Sequence, residues 1–99
     1  MYNIQTMTDS EFDIHLLRLR GQLDEVDREM VRALNQRARL VQELASIKTE
    51  AGEQLYDPER EEEILHRVTE ENPGPIYDST MREIFEIIMH RIRDIESEI

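Results

Sequence analysis

Residues 10–50 run without a proline and with one glycine, Gly21. Apolar residues recur there every three or four positions. Leu16, Leu19, Leu23, Val26, Met30, Leu34, Val41 and Leu44 fall on one stripe when the chain is turned by about 100° per residue. So long an uninterrupted helical period leaves room for little else in a chain of 99 residues. Two residues inside the stripe do not belong on a buried face. Taking Leu16 as zero, Arg37 and Lys48 project at about −60° and −40°, between Leu19 and Leu23. Two long cations on a buried face require anionic partners.

The rest of the chain reads as two shorter helices. Thr8 with Glu11, or Ser10 with Asp13, supplies a capping box to open the first helix, and residues 1–9 are expected to form a flexible tail ahead of a single domain over 10–99. The helix should stop near Ala51 and Gly52, where glycine suits the left-handed residue after a C-terminus. Asp57 followed by Pro58 is an N-cap and first-turn pair that starts a second helix, carrying Ile64, Leu65 and Val68 inward. The sequence Asn72-Pro73-Gly74-Pro75 cannot continue it. A third helix is predicted from about Asp78 to Thr80, with Thr80 and Glu83 as a capping box and Met81, Ile84, Phe85, Ile88, Ile92, Ile95 and Ile99 on its apolar face. No strand-like alternation and no repeat is present. The predicted fold is all-α: long, short and medium helices.

Length adds a second copy. About forty helical residues span about 60 Å, whereas a compact chain of this size has a radius of gyration of about 13 Å. The two short helices cannot cover the long stripe, so an intertwined homodimer is expected, with the long helices packed together.

The formal net charge is −11, from 12 basic and 23 acidic residues. Nucleic-acid binders carry a net positive face, so nucleic acid is excluded as a partner. No apolar stretch approaches the roughly 20 residues that cross a membrane, and the N-terminus lacks the basic start and apolar run of a signal peptide. With no cysteine, disulfides and thiolate metal sites are excluded. A cytoplasmic chain is the expectation. Glu63-x-x-His66 matches half of a carboxylate-bridged di-iron motif, but a second copy is missing, so no metal is expected. His15, His66 and His90 are read as surface residues, and the methionines as core filling. The runs Glu61-Glu62-Glu63 and Glu70-Glu71 read as solvated helix faces, with Glu61 as an exception because it lies one turn before Ile64 and Leu65.

An anion site in so acidic a chain must come from a local cluster of cations. Arg37 and Lys48 lie about 16 Å apart along the axis and about 20° apart in direction, close enough to share one small ligand. Arg20 lies about 25 Å before Arg37, beyond reach of that ligand in its own chain but within reach of a partner's site in an intertwined dimer. Glu61 and Arg60 on the second helix, and Glu96 about 20° from Phe85 on the third, complete the polar set. Interhelical salt bridges, such as Arg37 with Glu61 or Lys48 with Glu96, are the plain alternative. Excess positive charge on the inner face favours a small dianion, because arginine grips carboxylates in bidentate fashion.

The segments LRGQLDEVDREMVRALNQRARLVQELASIK and YDPEREEEIL resemble the all-helical class of chorismate mutases over roughly residues 16–96. Arg20, Arg37, Lys48, Asp57, Arg60 and Glu61 occupy the spacing of that family's motif without a gap. The turn at residues 72–75 resembles versions fused to prephenate dehydratase. The resemblance implies a pericyclic rearrangement of chorismate to prephenate, a step in phenylalanine and tyrosine biosynthesis, with no cofactor. It implies that Arg37 and the partner's copy of Arg20 bind the two carboxylates. Lys48 would bond the ether oxygen and a carboxylate, Glu61 the ring hydroxyl, with Asp57 orienting that contact and Arg60 lining the site. Two positions depart from the common pattern of Ser and Gln at seven and eleven residues after Phe85: this chain has Ile92 and Glu96. Ile92 only lines the pocket. Glu96 donates to the ether oxygen only when protonated; burial favours that form and the neighbouring cations oppose it. Isochorismate-pyruvate lyase on the same fold and a non-catalytic dimerisation module remain as rivals.

Overall fold

The computed structural model describes residues 6–97, with side chains through Arg91. Three helices follow in order: α1 (Asp9–Ala51), α2 (Pro58–Glu71) and α3 (Asp78–Ser97). No strand occurs among the described residues. The chain divides into two units, residues 1–37 and 38–99.

The first unit is the N-terminal part of α1. Its start is the Thr8 capping box: the Thr8 amide donates to Glu11 Oε2 at 3.2 Å, and the Glu11 amide donates to Thr8 Oγ1 at 3.1 Å. Two orphan amides are thereby satisfied, and the helix opens at Asp9, one residue earlier than expected. His15 is half-buried rather than on the surface. The apolar stripe is present but uncovered. No residue of α1 is buried, and Leu23 and Met30 are 60% and 55% exposed.

The second unit holds the end of α1 together with α2 and α3. α1 stops in a Schellman motif around Gly52, whose φ is +72°. The Gly52 amide donates to the Thr49 carbonyl at 3.1 Å and the Glu53 amide to the Lys48 carbonyl at 2.8 Å. α2 opens at the expected cap, with the Arg60 amide donating to Asp57 Oδ1 at 3.1 Å and proline in the first turn. Ile64 and Leu65 are buried against α3, at 8% and 5% exposure. Their counterpart is Met89, at 7%, with Val68 and Phe85 packed around the three. Met89 is buried as the reading of the methionines as core filling expects, although it was not among the apolar positions named for the third helix. Ile84, in that set, is 39% exposed.

The α2–α3 turn is tied by Asn72. Its Nδ2 donates to the Ile76 carbonyl at 2.7 Å and to Asp78 Oδ1 at 2.9 Å, while its Oδ1 accepts from the Gly74 amide at 3.2 Å. α3 begins at Asp78, with the Met81 amide donating to the Tyr77 carbonyl at 3.0 Å. Thr80 therefore sits inside the first turn and does not cap the helix. No described helix is long and apolar enough to cross a membrane.

Candidate functional site

Lys48 lies in the last turn of α1, half-buried, with its own carbonyl tied down by the Schellman motif. A cation at a helix C-terminus also meets the negative end of the macrodipole, which stabilises both helix end and charge. Nine residues on, Asp57 is exposed and its Oδ1 caps α2. That cap fixes the turn carrying Arg60 and Glu61. Arg60, expected to line the site, is exposed, and its Nη1 lies 3.2 Å from Glu63 Oε2 on the same helix. An exposed pair three residues apart contributes little to stability, so Arg60 is readily redirected toward another anion.

Glu61 is half-buried and lines a cavity of about 370 Å³ between the start of α2 and α3. Leu65 and Met89 form its apolar floor, and Tyr56, Glu62, Arg82, Glu86 and His90 its walls. Three carboxylates face one guanidinium and one imidazole there, so this cavity alone is not a dianion site. Glu61 stands there as a hydrogen-bond acceptor.

Arg82 and Glu62 form a polar link between α2 and α3. Arg82 Nη2 donates to Glu62 Oε1 at 2.8 Å and Oε2 at 3.0 Å, and Arg82 Nε lies 3.5 Å from Glu86 Oε1. The hydrogen bond to Glu62 raises the Arg82 pKa, reinforced by the charges of Glu62 and Glu86 and opposed by desolvation, so the guanidinium stays charged at any pH the fold tolerates. The sequence pattern puts Glu62 on a solvated face and gives Arg82 no role. The one local signal is Arg82 with Glu86 four residues later.

In the first unit, Arg37 is half-buried and Arg20 is exposed. Ile92 and Glu96 lie on α3 beyond the last described side chain, so both expected site residues fall outside the described side chains. His66 makes a 3.1 Å contact with Glu70 rather than joining Glu63 in a ligand pair. Among the described residues no group of three or more His, Asp or Glu could hold a metal ion.

Residues 19–97 match the family described as chorismate mutase type II. The bifunctional chorismate mutase/prephenate dehydratase of Aquifex aeolicus is 34% identical over 82 residues, and that of Stutzerimonas stutzeri 35% over 85. These alignments cover 83% and 81% of this chain but 22% and 23% of the relatives, so the chain spans about a fifth of their length. The structure of chorismate mutase (form II) from Thermus thermophilus superposes with a TM-score of 0.81 at 46% identity, covering 84% of this chain and 94% of that one. Form I of the same enzyme gives 0.78 at 46% identity, covering 79% and 98%. With the three-helix order, the capped α2 carrying Glu61 and the terminal-turn Lys48 in place, the chain belongs to the type II chorismate mutase family.

Proposed function

We propose that this chain is a cytoplasmic chorismate mutase of phenylalanine and tyrosine biosynthesis, active as a homodimer. The family match over residues 19–97 carries the reading. The motif residues say how the chemistry proceeds. Arg37 and the Arg20 of a second copy grip the two carboxylates of chorismate, and Lys48 meets the ether oxygen. Glu61 accepts the ring hydroxyl, held in place by a helix that Asp57 caps; Arg60 lines the approach and Ile92 the pocket. Glu96, when protonated, is a second donor to the ether oxygen. Clamping a flexible dianion in its near-attack shape removes entropy from the barrier. Negative charge gathers on the ether oxygen as the C–O bond breaks, and preplaced donors stabilise it. No proton is abstracted and no covalent intermediate forms.

The uncovered face of α1 supports the second copy. Leu19, Leu23, Val26, Met30 and Leu44 are all at least 50% exposed in one chain. A continuous apolar stripe of that size in water calls for a protein partner.

Purified protein should consume chorismate, read as loss of its ultraviolet absorbance, and should leave isochorismate unchanged. Arg37→Ala should cut kcat/KM by roughly 10²–10³-fold, the loss typical of removing one charge-stabilising donor. Wild-type protein without turnover overturns the reading; turnover of isochorismate in its place assigns the lyase.

A further inference from the structure

We infer that Arg82 is a positioning residue for Glu61, acting through its double hydrogen bond to Glu62. The inference rests on the proposed mutase reading and deepens it at the ring-hydroxyl contact.

On α2, with Leu65 as zero, Ile64 projects at about −100°, Glu61 at about −40° and Glu62 at about +60°. The two buried residues thus define a face whose centre lies about 50° from Leu65, almost the direction of Glu61. A roll of α2 about its own axis carries Glu61 together with Ile64 and Leu65, and among the described residues the core that resists it is small: Ile64, Leu65 and Met89, with Val68 and Phe85 beside them. A polar link outside so small a core adds a second constraint on the roll. Glu62 projects about 110° from the centre of that face, and its two oxygens accept from Arg82 Nη2 at 2.8 and 3.0 Å. Arg82 is itself steadied by Glu86 one turn along α3. The link thus ties α2 to α3 across twenty residues of sequence, and Arg82, Glu62 and Glu86 all line the same cavity as Glu61.

The pair is exposed, with Arg82 and Glu62 side chains at 40% and 64%. Exposed pairs add little to global stability. Its effect therefore belongs to direction rather than folding. Loss of the link should leave the melting transition nearly where it was while weakening the contact between Glu61 and the ring hydroxyl.

The experiment compares kcat/KM for chorismate with that for an analogue lacking the ring hydroxyl. The wild type should prefer chorismate. Arg82→Gln and Glu62→Gln should each reduce that preference about tenfold, mostly through chorismate, with melting temperatures close to wild type. Arg82→Lys, which keeps the charge and one donor to Glu62, should recover part of the preference. A general structural defect lowers both substrates together and leaves their ratio intact; that result, or an unchanged ratio in both Gln variants, overturns the inference and leaves the mutase reading standing. Absence of wild-type turnover overturns both. Glu62→Gln reports on the link even where Arg82→Gln fails to fold.

Discussion

Asp57 and Glu61 sit four residues apart and differ in what occupies them. One oxygen of Asp57 accepts from the Arg60 amide, so its first task is to hold the helix that aims Glu61. Replacing such a cap typically costs about 1 kcal/mol. Glu61 is instead half-buried beside a cavity, where a carboxylate can accept a hydrogen bond but not donate one. Glu96 poses the opposite chemistry, because a carboxylate cannot donate to an ether oxygen and a carboxylic acid can. Activity should therefore fall as pH rises and Glu96 ionises. The sign follows from the proposed role, in which only the protonated form donates. In Glu96→Gln the amide donates at every pH, so its kcat/KM should hold steady over the range in which the wild type declines. Parallel profiles for the two proteins would remove Glu96 from the ether-oxygen contact.

At the scale of the helices, the ends were legible because they are written in adjacent residues. Gly52, Asp57-Pro58 and the Asn72-Pro73-Gly74-Pro75 turn each act through the backbone within a few positions, and each lies where the pattern put it. Thr80 shows the limit. Its Thr-x-x-Glu spacing with Glu83 is a legitimate cap signal, but Asn72 holds Asp78 from across the turn and the helix opens at Asp78, the early end of the expected range. Arg82 with Glu62 was not legible, since it depends on how α2 crosses α3 and not on any spacing within one helix; the burial of Met89 follows the reading of the methionines as core filling. The Gly52 end is the one most directly tied to the site, because the same motif fixes the carbonyl of Lys48. At φ +72° an L side chain is strained, and nothing lies within 4 Å of a Cβ placed there, so the cost is conformational and not steric crowding from neighbours. Gly52→Ala should lower stability by about 1 kcal/mol, read as a fall in the denaturation midpoint, and should raise KM as the last turn bearing Lys48 loosens. Gly52→Asn, which tolerates the left-handed region better, should lose less on both measures. Equal losses for the two would show that the backbone angle is not what Gly52 provides.

For the molecule as a whole, spacing along one helix suggests a cationic set, whereas the assembly that would complete it is suggested by the apolar side chains that α1 leaves exposed. By helical spacing Arg37 and Lys48 fall about 20° apart in direction, whereas Arg20 lies seventeen residues before Arg37, too far along a helix to serve the same ligand. If each site takes Lys48 from one chain and Arg20 from the other, Arg20→Ala and Lys48→Ala each destroy both sites of their own homodimer. A mixed dimer behaves differently. One of its sites combines the intact Lys48 of the first variant with the intact Arg20 of the second, and the other site collects both lesions. Unfolding the two inactive variants together and refolding them gives about half mixed dimers by chance pairing, each with one working site, so activity should return to about a quarter of the wild-type value. A site built within one chain gives no recovery at all, since no pairing then unites the intact residues. The same refolded mixture run at falling protein concentration should lose activity as the dimer dissociates, whereas a self-sufficient chain would keep its specific activity under dilution.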